Sequence, residues 1–273
     1  YAQLQVNSGI SAEELAAAIA GPGIQIQNPQ ITAAADAYGS YSSSNTDLPF
    51  NDGVLLTTGK ATNAIGPNNV QHKSYINSFP GSALLNAATG QITNDACVFE
   101  FDIIPQGDTI KFNFTFASEE YNNFVGSIYS DVFGFFISGP GIIGEENIAL
   151  VPNTNQTVSI NTINAASNSA YFFDNDNPEG DYLQYNAFTI DLVAKKAVTA
   201  CESYHLTLVI ADANDYSIDS GVFIEKIESP NASLSSATAG GIEYMVEGCN
   251  DGTITFTRLS SDLSQDIDLT FYV

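Results

Sequence analysis

The chain has 273 residues and carries 31 Asp and Glu against 7 Lys and Arg, a formal net charge of −24 at pH 7. This balance argues against nucleic-acid binding and against attachment to anionic membranes, because both need clustered Lys and Arg. Hydrophobic residues make up 44% and aromatic residues 11%, which is typical of an ordered globular protein. The sequence holds no apolar run of roughly 18 residues that could span a membrane. Because the chain begins at Tyr1 and not at Met, we expect a processed or partial chain of an exported protein.

The N-terminal part predicts one short helix. Ser11 and Glu14 have the spacing of a capping box, and the Ala-rich residues 12–20 favour a helix. Gly-Pro-Gly at 21–23 then ends it.

Nearly all other regular segments show strand patterns. Residues 38–51 are predicted as a loop, and residues 61–91 as a long excursion with a helical turn at 82–88. The predicted strands are 23–31, 53–59, 98–103, 109–117, 132–137, 148–151, 157–160, 188–194, 204–211 and 221–227. Many short strands with one short N-terminal helix predict an all-β fold, a jelly-roll-like β-sandwich.

One strand indicates how its sheet is buried. Residues 109–117 place Phe112, Phe114 and Phe116 on one face, and Lys111 and Thr115 on the other. This alternation predicts a sheet with one solvated face.

The C-terminal part predicts the start of a second β domain. Residues 229–233 have the composition of a linker, and strands are predicted at 252–258 and 266–273. Forty residues are too few for an independent core, so residues 234–273 are predicted to be an incomplete domain that follows the sandwich of residues 1–228.

The three cysteines are Cys97, Cys201 and Cys249. None lies in a CxxC pair, which argues against a zinc site. Cys97 and Cys201 each precede a predicted strand, so we predict a disulfide between them, with buried free thiols as the alternative. Cys249 then has no partner within the chain.

Residues 116–141 hold the first of three acidic clusters. Glu119 and Glu120 end one apolar strand, and Asp131 opens the next. Buried carboxylates are costly unless compensated, and the chain has few cations. Oxygen ligands favour calcium, so we predict a bound Ca²⁺. The alternative is that these carboxylates are solvated or cap backbone N–H groups.

The second acidic cluster is Asp212, Asp215 and Asp219, which follow the predicted strand 204–211. Strand ends of a sandwich converge at its rims, so the first two clusters could meet and share the ion. The alternative for the second is Asx turns in a polar loop. A third cluster, in the loop 174–181, is left open. The predicted metal ligands are Glu119, Glu120, Asp131, Asp212, Asp215 and Asp219.

The sequence gives little support for an enzyme. It has two histidines, His72 and His205, and no GxSxG, HExxH or P-loop motif. Glu119 and Glu120 could supply the carboxylate pair of a glycoside hydrolase, but adjacent strand residues point to opposite faces. We therefore predict a protein without catalytic residues, with a secreted glycan- or peptide-hydrolysing enzyme as a remote alternative.

Several segments together resemble a known family. The chain is similar to the choice-of-anchor L domain family over roughly residues 5–228, in the segments SAEELAAAIAGPGIQI, GVLLTTG, FASEEY, DVFGFFISGPG and CESYHLTLVIADANDYSIDSGVFIE. It departs from the family pattern at residues 78–85, where a more acidic Gly-Asp segment is expected. The tail, from VEGCNDGTITFTR onward, resembles the start of a Calx-beta-like or immunoglobulin-like repeat.

The resemblance implies a secreted bacterial surface protein of a kind frequent in Bacteroidota. The tail resembles repeats of long gliding-motility adhesins that the type IX secretion system exports. We therefore expect a module of a large adhesin, outside the cell on the outer surface, that binds a glycan, a protein or an abiotic surface. The alternative is a structural cap that docks to the secretion or motility machinery. No contact with nucleic acid and no membrane insertion are expected.

Overall fold

The computed structural model describes residues 3–176, 180–230, 232–238 and 252–258. Within these ranges the chain forms two α-helices, two short 3₁₀ helices and fifteen strands. The α-helices are α1 (Ala12–Ile19) and α2 (Ala83–Thr89), and the 3₁₀ helices are Ala61–Ala64 and Ser169–Tyr171. The strands β1 to β15 are, in chain order, Gln3–Ser8, Ile24–Thr32, Tyr38–Ser44, Asp52–Thr57, Thr93–Pro105, Thr109–Ser118, Val132–Ser138, Glu146–Asn147, Phe172–Asp174, Ala187–Thr189, Leu192–Ala197, Tyr204–Ala213, Ser220–Ile224, Ala232–Thr238 and Gly252–Arg258.

The strands form two large antiparallel sheets. The first sheet has eight strands in the order β1-β3-β4-β13-β6-β10-β9, with β11 also paired to β6. The second has five strands in the order β2-β5-β12-β7-β8, and β14 pairs with β15 in a separate ribbon. The prediction of an all-β sandwich is confirmed.

The main core lies between the two sheets and is rich in phenylalanine. Phe112 and Phe114 of β6 face Phe135 and Phe133 of β7, with ring centroids 4.1 Å and 5.4 Å apart. All four side chains are buried. Because β6 and β7 belong to different sheets, these rings join the two layers.

The outer face of the first sheet is only partly solvated. Lys111 is exposed, as the alternation in β6 predicts, but Thr115 is fully buried. A second apolar cluster that includes Tyr41, Leu55 and Phe223 covers this part of the face. The predicted solvated face is therefore confirmed at one end of β6 and wrong at the other, where residues of connecting segments such as Leu48, Ala61 and Leu183 belong to the apolar cluster.

Helix α1 forms where the sequence predicts it. The Glu14 N–H donates to Ser11 Oγ at 3.2 Å, and the Ser11 N–H donates to Glu14 Oε2 at 2.8 Å, which completes the capping box. Leu15 and Ile19 are buried against the core between the sheets. Helix α2 corresponds to the predicted helical turn at 82–88.

Other boundaries differ from the prediction. The predicted loop at 38–51 contains β3, because this Ser-rich segment pairs with β1 on one side and β4 on the other. The predicted strand 188–194 is divided between β10 and β11. The predicted strands 148–151 and 157–160 form isolated bridges only, between Leu150 and Thr157 and between Val132 and Ser159.

The predicted disulfide is wrong. Cys97 and Cys201 are both free thiols, the first buried and the second exposed. The two strands that they precede, β5 and β12, are antiparallel neighbours, so their starts lie at opposite ends of the sheet. The Cys201 N–H donates to the Pro105 carbonyl at 2.8 Å, eight positions along β5 from Cys97, or about 26 Å at ~3.3 Å per residue.

The two thiols are expected to differ in reactivity. Burial raises the pKa of Cys97 to about 12, while Cys201 is exposed. Iodoacetamide on the native chain near pH 8 should therefore modify Cys201 and spare Cys97, because the thiolate is the reactive form. Peptide mass spectrometry would check this, with the urea-unfolded chain as the control in which both react. Equal native labelling of the two, or loss of both thiols without reductant, would contradict this assignment.

At the C-terminal end, β14 and β15 form an antiparallel pair. Strand β15 corresponds to the predicted strand 252–258, and β14 begins inside the predicted linker. The predicted strand 266–273 and Cys249 lie outside the described residues, so the second domain stays a prediction. None of the helices in the described ranges is long and apolar enough to cross a membrane.

Candidate metal centre at one rim of the sandwich

Two chain connections cross between the sheets at the same rim. Residues 119–131 join β6 to β7, and residues 214–219 join β12 to β13. The Glu119 N–H donates to the Asp219 carbonyl at 3.1 Å, and the Ala213 N–H donates to Asp131 Oδ1 at 3.1 Å. The structure therefore brings the first and second acidic clusters together.

The carboxylates at this rim are out of contact with solvent. Five of the six predicted ligands are 2% exposed or less: Glu119, Glu120, Asp131, Asp212 and Asp219. The sixth, Asp215, is half-buried, and its carboxylate accepts from the Ser217 N–H at 3.2 Å, which is the Asx-turn alternative for this residue. The alternative that Glu119, Glu120 and Asp131 are solvated is therefore wrong, although Glu120 and Asp131 do accept from backbone N–H groups.

Asp131 ties the two sheets together at the rim. Its Oδ2 accepts from the Ser220 hydroxyl of β13 at 2.7 Å, in addition to the Oδ1 contact with Ala213. Its own N–H donates to Glu120 Oε2 at 3.0 Å. The Asp131 carboxylate thus has partners from β12 and β13, which belong to different sheets.

Asp219 lies under the long excursion between β4 and β5. Its Oδ1 accepts from the Tyr75 N–H at 2.9 Å, and its N–H donates to the Lys73 carbonyl at 3.4 Å. A Cβ at Gly59 would lie 1.7 Å from Asp219 Oδ2, so this position has room for a glycine only. Gly59 is the last residue of the segment GVLLTTG. The strand pattern of the sequence does not indicate that this glycine makes room for Asp219.

Asp95 is a buried carboxylate that the sequence analysis missed. It is 2% exposed at the start of β5 and accepts from the Asn77 N–H at 2.9 Å and from the Phe79 N–H. It precedes the predicted strand 98–103 by three residues, and strand β5 is longer than the pattern indicates. A lone Asp before a strand gives no sequence signal for this role.

Several buried oxygens at the rim have no hydrogen-bond partner. Both carboxylate oxygens of Glu119 and Oδ1 of Asp212 are in this state. The amide oxygen of Asn186, whose Nδ2 donates to the Glu119 carbonyl at 2.8 Å, is also unpartnered. Unpartnered buried polar atoms are rare in folded proteins, and each calls for a ligand or another compensation.

Burial shifts the ionisation of these carboxyl groups. Desolvation raises the pKa of Glu119 to about 8, although the Gln184 amide and the Lys73 backbone lie close enough to lower it in part. Desolvation likewise raises the pKa of Asp219 to about 6. The pKa values of Glu120 and Asp131 are raised first by burial and then by neighbouring carboxylates. The charged cluster is therefore costly without a compensating cation.

The donor chemistry suits calcium, because every candidate ligand atom is an oxygen. Within the described ranges, however, no three His, Cys, Asp or Glu side chains are arranged to hold one ion. Glu119 interacts with Asp219, and Glu120 with Asp131, so the two adjacent glutamates lie in different halves of the cluster, although Asp219 also acts on Asp131 and Asp212. A single ion held by all six predicted side chains does not agree with this division.

The half around Glu119 agrees better with calcium. Calcium also accepts amide and backbone oxygens, and two carboxylates with such oxygens can complete its shell of 6–8 ligands. Glu119 and Asp219 supply the carboxylates, and Asn186 supplies an unpartnered amide oxygen. The sequence pattern that indicates this rim consists of Asp and Glu only. Such a pattern does not point to Asn186, whose amide oxygen is a candidate ligand of the half around Glu119.

The third acidic loop is placed outside the buried cluster. Asp174 is exposed, and its Oδ1 accepts from Asn122 Nδ2 at 3.4 Å and from the Asp176 N–H at 3.1 Å. Residues 177–179 lie outside the described part of the chain, and the loop adds no buried carboxylate to the rim among the residues described.

The histidines are not part of the buried cluster. His205 Nδ1 lies 2.8 Å from Asp102 Oδ1 on the outer face of the second sheet. Asp102 also accepts from Asn28 at 2.7 Å, and these contacts lower the pKa of its carboxyl group. His72 contacts Asn123 through Nε2 at 2.7 Å. Neither of these two contacts pairs the ring with a Ser, Thr or Cys side chain.

The fold and rim define a β-sandwich domain with a buried acidic cluster. The model of the choice-of-anchor L domain family matches residues 5–229, and the chain belongs to this family. The family is one of extracellular surface proteins and is not a known enzyme family. No curated protein and no solved structure matches the chain significantly. The family match ends before residues 234–273, so the resemblance of this tail to a Calx-beta-like repeat stays a prediction.

Proposed function

We propose that this domain is a non-catalytic, calcium-stabilised module of a large exported adhesin. Membership of the family supports the surface location, and the acidic rim supports calcium. The ligand-binding surface would be formed by loops of the rim, whose positions the ion would fix. Gliding motility or attachment is the process that the adhesin serves in this proposal.

The observation that carries the proposal is the unpartnered Glu119 carboxylate. It is 1% exposed, neither of its oxygens makes a hydrogen bond of normal geometry although the Gln184 amide and the Lys73 backbone lie close, and Asp219 lies near it. A charged group in this state costs several kcal/mol unless a cation compensates it. Lys73 is the one cation that acts on this carboxyl group in the described part of the chain, and it forms no ion pair there.

In this proposal Glu119, Asp219 and the Asn186 amide oxygen hold the ion. When bound, Ca²⁺ neutralises the buried charge and orders its ligands. Asp131 keeps its contacts with Ala213 and Ser220 and acts as the structural tie beside the ion. That the family is not a known enzyme family supports a domain that binds and does not turn over its ligand.

Calorimetric titration of calcium into the calcium-depleted chain tests the proposal. We expect one ion per chain for the wild type, and affinity reduced at least tenfold in Glu119→Gln and Asp219→Asn, because each loses a charged ligand. Glu145→Gln and Asp47→Asn are matched controls at exposed positions and should bind as the wild type does. No binding by the wild type, or equal binding by all variants, would contradict a site at Glu119 and Asp219.

A further inference from the structure

The rim above the acidic cluster carries an unusual concentration of exposed apolar side chains. Most of the large apolar residues that are exposed in the described ranges lie in its loops. Ile92 is 71% exposed, Ile128 65% and Ile76 54%. We define the rim surface as Tyr75, Ile76, Ile92, Ile128, Tyr129 and Tyr216.

Hydrogen bonds between the loops join these residues into one surface. Asn214 donates through its N–H to the Ile92 carbonyl at 2.8 Å, and through Nδ2 to the Ile128 carbonyl at 2.7 Å. Gln91 Nε2 also donates to the Ile128 carbonyl, at 3.2 Å. The side chains of Ile92 and Ile128 are free to face solvent, because their backbones make the contacts.

The excursion between β4 and β5 joins the same surface. The Ile218 N–H donates to Ser74 Oγ at 2.9 Å, and the Tyr75 N–H donates to the Asp219 carboxylate. Tyr216 is two residues from Ile218. The loops that hold the rim surface are thus fixed on the acidic cluster itself.

Single exposed apolar residues are ordinary, but a contiguous group on one rim is typical of an interaction site. Aromatic and aliphatic residues with few charges are typical of the centre of a protein–protein interface. The three tyrosines of the rim surface suit a sugar or a polypeptide, whereas the three isoleucines give a sugar neither an aromatic face nor a hydrogen bond. The composition of the rim surface therefore favours a polypeptide partner over a glycan.

The charge of this chain indicates which charge the partner should carry around its apolar contact face. The chain as a whole carries −24 at pH 7, with 31 Asp and Glu against 7 Lys and Arg. Lys60, which lies 4.0 Å from the Tyr75 ring centroid, is already 3.7 Å from Asp36. The net charge of the chain is strongly negative, so a positively charged partner is attracted and a second copy of this chain is repelled.

We propose that the rim surface docks a polypeptide whose contact face is apolar at its centre and positively charged around it. This inference names the partner class of the proposed adhesin module and rests on that function. Calcium would fix the loops, and the isoleucines would supply the buried contact.

The test uses synthetic amphipathic peptides with the same apolar residues and with Lys, Gln or Glu at the polar positions. We expect the Lys peptide to bind the full chain with calcium present, and the Glu peptide not to bind. The double variant Ile92→Ser/Ile128→Ser should weaken binding of the Lys peptide about tenfold or more. Ile143→Ser, at a side chain that is 100% exposed away from these loops, should leave it unchanged.

Each other result would overturn the proposal. These results are no binding of the Lys peptide, equal binding by the double variant, binding of glycans only, or calcium-dependent self-association in sedimentation. Calcium titration of the double variant keeps the two proposals apart. If the double variant binds calcium and the Lys peptide as the wild type does, the docking proposal is contradicted and the calcium site is not. If the wild type binds no calcium, the proposed function is contradicted, whatever the peptide result.

Discussion

In calcium-depleted solution, the free energy of unfolding is expected to fall by several kcal/mol as the pH rises from about 5 to about 8. The folded chain holds the pKa of Glu119 at about 8, against an ordinary value of 4.5. A raised carboxyl pKa means that the folded state binds the proton more tightly. The stabilisation that this proton gives the folded state is complete below the pKa of the unfolded chain. It is lost as the pH rises through the pKa of the folded chain.

The expected size of this effect is large for a single domain. A pKa difference of this extent corresponds to roughly 5 kcal/mol for Glu119 alone, since one pKa unit is about 1.4 kcal/mol. Asp219, with a folded pKa of about 6, acts in the same direction at lower pH. Calcium should remove most of the pH dependence, because the cation compensates the ionised carboxylates.

Urea unfolding at about pH 5, 6.5 and 8, with and without calcium, measures the effect. Glu119→Gln should reduce the loss of stability between pH 5 and 8, because the amide does not ionise. Glu145→Gln, at an exposed position, should retain the full loss. Stability that stays constant or rises over this range without calcium would show that the buried carboxylates are compensated by protein groups alone.

Phe114→Ala is expected to lower the free energy of unfolding by about 3–5 kcal/mol. Phe114 is fully buried between the sheets, with its ring centroid 5.4 Å from that of Phe133 and 5.8 Å from that of Phe112. Removing the ring leaves a cavity that the two rigid sheets cannot close. The loss of packing on both layers adds to the lost transfer free energy of the side chain.

Equilibrium denaturation in urea with calcium present would measure this loss. Phe114→Leu keeps most of the volume and should cost less than half as much. Ile143→Ala truncates a side chain that is 100% exposed and should change stability by less than about 0.5 kcal/mol. A cost for Phe114→Ala below about 1 kcal/mol would contradict the assignment of Phe114 to the core that joins the sheets.

Local chemistry explains which parts of the fold could be predicted. The capping box of Ser11 and Glu14 is a short-range signal, and it is present in the structure. The phenylalanines of β6 alternate with strand periodicity, which fixes the face that they bury. Strand β3 was missed because its Ser-rich sequence has little intrinsic strand preference, and its two neighbouring strands supply the pairing.

Long-range geometry was harder to predict. The disulfide prediction compared strand starts without the direction of each strand, and the antiparallel pairing of β5 with β12 separates Cys97 from Cys201. Convergence of the acidic clusters followed from strand ends alone and needed no pairing order. The division of the cluster between Glu119 and Glu120, and the contribution of Asp95, depend on the excursion 61–91, whose path no local pattern predicts.

The measurement to make first is the thermal unfolding midpoint of the calcium-depleted chain, before and after addition of millimolar calcium near pH 7.5. Saturation at a hundred times the dissociation constant stabilises by about 2.7 kcal/mol, which raises the midpoint of a domain of this size by roughly 5–10 °C. We expect this rise in the wild type and its loss in Asp219→Asn. An unchanged midpoint, with no metal found by elemental analysis, would contradict a calcium-stabilised rim.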